Sequence, residues 1–115
     1  MIKISKKKKT KTTKWSRTHE FKRKNSNKKG VGHPVYVYAK SKRSLKYLLF
    51  THKPPEGKDD AYEKLIHNID PDEDGIKDSY VKKQYETSRY DAFKTPDKKY
   101  RIHDDDRDTI KKYKK

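Results

Sequence analysis

The residues best suited to chemistry in this 115-residue chain are its histidines: cysteine is absent, and imidazole is the side chain that gives or takes a proton near neutral pH. His33 precedes the β-branched and aromatic run Val35 to Tyr38, and His52 closes a second apolar run that begins at Leu45. In the simplest hairpin register those two ends meet, which places His33, Thr51 and His52 at one end of a sheet. Two histidines, or one histidine with Lys40, Arg43 or Arg89 to hold a phosphate, would suffice for metal-independent RNA cleavage through the 2′-hydroxyl, with general acid and base on either side of the phosphorus. The plainer alternative is that histidines at strand ends are surface or packing residues. His19, His67 and His103 are too scattered along the chain to argue for a zinc site.

A second set, Asp70, Asp72, Asp74 and Asp78 with Gly75 among them, puts carboxylates on alternating residues around a turn-forming glycine. That is what oxygen-seeking Ca²⁺ requires, and the spacing resembles the short calcium loops of thrombospondin-type repeats. It departs from the EF-hand pattern at Lys77, where an apolar residue belongs, and at Val81, where a bidentate glutamate belongs. The alternative is an acidic surface turn containing Pro71. Ca²⁺ is the one cofactor this sequence suggests.

Charge is distributed unevenly. The chain carries 33 basic and 17 acidic residues, a net +16, and Met1 to Gly30 hold thirteen of the former and one of the latter, a net +12. Lys6, Lys7, Lys8, Lys9, Lys11 and Lys14, then Arg17, Lys22, Arg23, Lys24, Lys28 and Lys29, can displace counterions from phosphates with little regard for sequence. Trp15 and Phe21, set among these charges, can stack on unpaired bases, which favours RNA. Lysine runs can equally be solvated tails, and an acidic protein is the competing partner. No apolar face is present to insert into a membrane.

Residues 1–30 show neither a period of 2 nor one of 3.6, so ordering them would cost chain entropy with little burial to offset it. The expectation is a disordered basic arm over 1–30 and a small domain over 31–115. Only 28% of the chain is hydrophobic, which limits the core. The runs Val35 to Tyr38 and Leu45 to His52 predict a hairpin, the second strand with Leu45, Tyr47, Leu49 and Thr51 on one face, Lys46, Leu48 and Phe50 on the other, and partial cover on both. Pro54, Pro55 and Gly57 end it. Further strands are expected over Lys64 to Ile69, at Tyr80, Val81 and Tyr85, and over Tyr100 to Ile102, with a turn at Thr95 to Asp97. Asp104 to Tyr113 reads as a helix, with aspartates crowding its first turn, one of them as N-cap, and lysines its last. The fold class is therefore α+β, mainly β: a small antiparallel sheet or SH3-like partly open barrel with a C-terminal helix. No secretory signal or spanning segment is readable, so a cytoplasmic protein is expected.

The pairing of His33 and Pro34 before one strand with Thr51 and His52 after the next, then Asn68 to Pro71 and Ser79, Tyr80 and Val81, resembles a pattern in small, lysine-rich, uncharacterised bacterial proteins. It covers roughly Gly32 to Val81, is found chiefly in low-GC Gram-positive organisms, and implies a bacterial or mobile-element origin and a domain starting near His33. It implies no catalytic residues. A strand entered through a proline and a second ending in threonine is also similar to the start of the barrel of MazF-type endoribonuclease toxins, whose later motifs are not recognisable here. The function expected from these features is a non-enzymatic nucleic-acid-binding accessory protein, RNA favoured. A metal-independent endoribonuclease and a module that docks on an acidic protein are the alternatives.

Overall fold

The computed structural model describes residues 15, 16, 19–24 and 33–115, without the side chains of 23, 24, 94 and 95. The expectations for Lys6 to Lys14, Arg17, Lys28 and Lys29 fall outside those residues.

The predicted hairpin is the centre of the molecule. Strands β3 (Val35–Lys40) and β4 (Ser44–Thr51) pair antiparallel with Val35 opposite Leu49 and Tyr36 opposite Leu48, and a bulge between Val37 and Ala39 shifts the register. Alternation along β4 sends its side chains to opposite faces, and both faces are covered. Leu48 and Phe50 enter a core with Phe21, Leu65, Ile69, Val81, Ile102 and Ile110, whereas Leu45 and Tyr47 join Val35 and Phe93 in a second. Each fully buried large apolar side chain adds about 2 kcal/mol relative to exposure. Among the described residues, these two clusters are the hydrophobic core.

The other strands of the sheet are β2 (Phe21–Lys24), β5 (Tyr62–Lys64), β6 (Tyr80–Lys82), β7 (Glu86–Arg89) and β8 (Phe93–Asp97). The seven run in the order β5-β6-β4-β3-β2-β8, with β7 paired to the first half of β4 beside β6 on its second half. Pairs in the sheet are antiparallel. Strands β4 and β8 are three steps apart, which a flat sheet would hold roughly 14 Å from one another. The rings of Tyr47 on β4 and Phe93 on β8 nevertheless meet at 4.7 Å. The sheet therefore curls over its second core.

Helix α1 (Arg107–Tyr113) closes the other face, burying Ile110, while its Lys112 and Tyr113 donate hydrogen bonds to Glu63 on β5. Those bonds hold the Glu63 carboxyl below the usual glutamate range. The helix falls within the predicted span, entered through a 3₁₀ turn at Asp104–Asp106.

Four expectations need correction. First, the domain does not begin at Val31: β1 (Trp15–Ser16) pairs with β9 (Ile102–His103), and β2 (Phe21–Lys24) lies between β3 and β8. Phe21 is 2% exposed, against Phe50 and Tyr100. A strand of lysines with one buried aromatic has no alternating pattern to betray it; the pairing of its neighbours defines it. Second, Thr95 to Asp97 belong to β8, Pro96 lying opposite Lys22; β8 ends the sheet path, and proline is tolerated on such an edge because one side of the strand needs no donor. Third, the strand expected over Lys64 to Ile69 stops at Lys64: the Leu65 amide still bonds to the Ser79 carbonyl, but the amides of Ile66 to Ile69 bond to side chains instead of to a neighbouring strand. Fourth, no aspartate side chain caps α1; His103 caps the preceding turn by accepting from the Asp105 amide.

Candidate nucleic-acid cleft

A cleft of about 190 Å³ opens where the entrance to β3 meets the exit of β4. His33 and Pro34 come from the first, Thr51 and His52 from the second, held together by the Phe50 amide donating to the Pro34 carbonyl at 3.1 Å. Asn68, Ile69, Asp70 and Ser79 form the opposite wall, with Glu73, Lys77, Lys99 and Tyr100 at the rim. The pocket is smaller than the roughly 300–1,000 Å³ that encloses a drug-sized molecule. A neighbouring apolar depression of about 360 Å³, floored by Phe21 and flanked by His19 and Arg101, shares Tyr100 with it.

The structure separates residues that build the cleft from residues free to work in it. Thr51 is buried; its hydroxyl donates to the Lys53 carbonyl at 3.0 Å and accepts from the Lys53 amide, a local turn that ends β4 and swings His52 outward. Thr51 thus has a positioning place, not the catalytic one its spacing suggested. Asn68 is a brace: its side chain accepts from the Asp70 amide and donates to the Lys77 carbonyl, while Ser79 accepts from the Ile69 amide. His33 and His52 are exposed, and no hydrogen bond, ion pair or ring contact among the described residues engages either. The cations at the rim are Lys77 and Lys99, facing Asp70 and Glu73. Lys40, Arg43 and Arg89, the phosphate holders the sequence offered, sit at the far end of the hairpin, where Ser44 pairs with Arg89 and Lys40 with Leu45.

Three of the four carboxylates of the turn, those of Asp70, Asp74 and Asp78, are engaged within the protein. Asp70 accepts from the Asp72 amide, Asp74 takes the Asn68 amide and His67, and Asp78 lies 3.5 Å from Lys64. Gly75 supplies a backbone φ of +84°.

A cluster that spacing did not reveal lies beyond it. His67 and His103 stack face to face at 3.6 Å with 18° between planes, and Trp15 meets His103 edge-on at 4.8 Å. Trp15 is thereby packed into the fold, not held out to stack on bases. His67 Nδ1 lies 2.8 Å from Asp74 and Nε2 2.8 Å from Asp105, so each ring nitrogen meets a carboxylate, an arrangement that favours the protonated ring. Burial pulls its pKa down, but the bonds to Asp74 and Asp105 outweigh that and hold it above the ordinary histidine value. Asp74 is held below its own ordinary value: burial acts against this, and the bonds from His67 and the Asn68 amide prevail. Among the described residues, His67, His103 and Asp105 are the group whose ligand atoms gather within 4.8 Å. Yet an ion must lie near the plane of every imidazole that binds it at about 2.0–2.1 Å, and two nearly parallel planes 3.6 Å apart have no such common point. In this arrangement the cluster is a hydrogen-bonded lock. The partners are 38 residues apart, and no local signal announces them.

No family model, curated protein sequence or solved structure matches the chain.

Proposed function

We propose that the protein binds RNA, its lysine-rich N-terminal residues supplying electrostatic affinity and the His33/His52 cleft receiving a stretch of the strand. The observation that carries this is the charge split: Met1 to Gly30 hold a net +12 of the total +16. Such a density favours a polyanion, and counterion release from phosphates would supply the affinity. Lys77 and Lys99 line a pocket with two exposed imidazoles that have no hydrogen-bond partner among the described residues. Single-stranded RNA is the favoured form because the shared Tyr100 and the apolar depression next to the cleft offer a surface for a splayed base.

The test must respect the fold. Removing residues through Lys29 would take away β1 and β2, so the informative truncation ends at Lys14 and deletes seven lysines. RNA affinity measured against salt should weaken, and the log–log slope should become shallower by up to about 5, at roughly 0.7 per phosphate contact on a single strand. Unchanged affinity and slope would remove the segment from the binding account. A capture experiment with and without nuclease separates the competing partner: proteins retained after nuclease would point to an acidic protein in place of RNA.

A further inference from the structure

We propose that His33 and His52 are a general acid–base pair that cleaves RNA at the cleft. This rests on the RNA-binding reading and assigns the bound strand a chemical fate. Residues around the cleft fall into two kinds. Thr51, Asn68 and Ser79 have hydrogen bonds that end β4, brace the loop and fix its wall. His33 and His52 have none among the described residues, although they come from adjacent strands whose ends are tied by the Phe50–Pro34 bond. Two exposed imidazoles with no hydrogen bond among the described residues, brought to one small cleft by tied strand ends, have ring nitrogens open to give and take a proton at a bound phosphodiester.

The chemistry balances without any further reagent. One imidazole, neutral, takes the proton of the ribose 2′-hydroxyl as that oxygen forms a bond to phosphorus. The other, protonated, gives its proton to the 5′-oxygen as the bond from phosphorus to that oxygen breaks. The products are a 2′,3′-cyclic phosphate and a 5′-hydroxyl, and the two histidines end with their protonation states exchanged. Lys77 or Lys99 at the rim can offset the charge that builds on the non-bridging oxygens. Asp70 and Glu73 line the same cleft.

The experiment uses the full chain with a random-sequence RNA pool, EDTA present throughout, and binding measured in parallel with cleavage. The variants are His33→Ala, His52→Ala and the pair, with melting temperatures as the check on folding. Because both side chains are exposed and unpartnered, these variants should melt with the parent. The parent should produce 5′-hydroxyl and cyclic-phosphate ends, leave a DNA pool of the same lengths intact, and show a bell-shaped pH–rate profile. Each single variant should lose about 10²-fold or more in rate and lose one limb of the bell. RNA that is bound but intact across the pH range overturns the cleavage proposal and leaves RNA binding standing. RNA that is neither bound nor cut overturns the binding reading as well. Cleavage that survives the double variant overturns the assignment to these residues.

Discussion

At the residue scale, two side chains decide how the C-terminal half holds together. Asp106, 1% exposed, accepts from the amides of Ile66 at 2.6 Å and His67 at 2.9 Å. The loop from Leu65 to Ile69 lacks a strand partner, so this carboxylate replaces a ladder for two of its donors. Asp106→Ala would strand both donors, at about 1–3 kcal/mol each, and should lower unfolding stability by about 3 kcal/mol in urea titration; a loss under about 0.5 kcal/mol would mean that water takes over both donors. His67 makes stability depend on pH. Its folded pKa is raised, so its contribution is complete below the unfolded value of 6.5 and is lost as pH rises through the folded value. Asp74 has a lowered folded pKa, so its contribution is present above 3.8 and is lost as pH falls through the folded value. The lock is therefore strongest between those limits. Urea midpoints should decline as pH is raised from about 6.5, and His67→Gln should flatten that decline. An equal decline in the variant would place the titrating group elsewhere.

At the element scale, β2 shows what local pattern can and cannot reveal. The hairpin of β3 and β4 was legible because Val35 to Tyr38 and Leu45 to Phe50 are short runs rich in β-branched, aromatic and leucine residues that end in polar or proline-rich segments. The terminal helix was legible from aspartates at its start and lysines at its end. Strand β2 was not, because Phe-Lys-Arg-Lys carries one apolar residue and owes its conformation to β3 and β8 on either side. Strand β8 was hidden by Pro96, which reads as a turn until its edge position is known. Phe21 is the test of this element. Its ring lies 5.1 Å from Phe50 and 5.7 Å from Tyr100, and Phe21→Ala leaves a cavity in the first core, so it should cost about 3–5 kcal/mol. Denaturant unfolding checks this, with Lys22→Ala, on the same strand but only half-buried, as the control expected to change little. Equal effects from the two would return β2 to the solvated arm that composition suggested.

At the scale of the whole molecule, the site was half legible. His33 and His52 could be brought to one sheet end by hairpin register alone, whereas the cations beside them, Lys77 and Lys99, arrive from loops that no period places. The more consequential feature is the separation of attraction from chemistry: seven lysines precede Trp15, while the cleft is bounded by two lysines and two carboxylates that nearly cancel. Charge that attracts a polyanion equally before and during reaction binds ground state and transition state alike, which changes KM and leaves kcat alone. Deleting residues 1–14 should therefore raise the KM for RNA cleavage by about tenfold or more at low salt with kcat unchanged. Near 1 M salt, where the Debye length is about 3 Å, the two chains should converge, because the advantage of the deleted lysines is screened. Steady-state rates of both chains across a salt series measure this directly. A fall in kcat at unchanged KM would instead mean that lysines from this segment reach the reacting phosphate, and attraction and chemistry would then share one site.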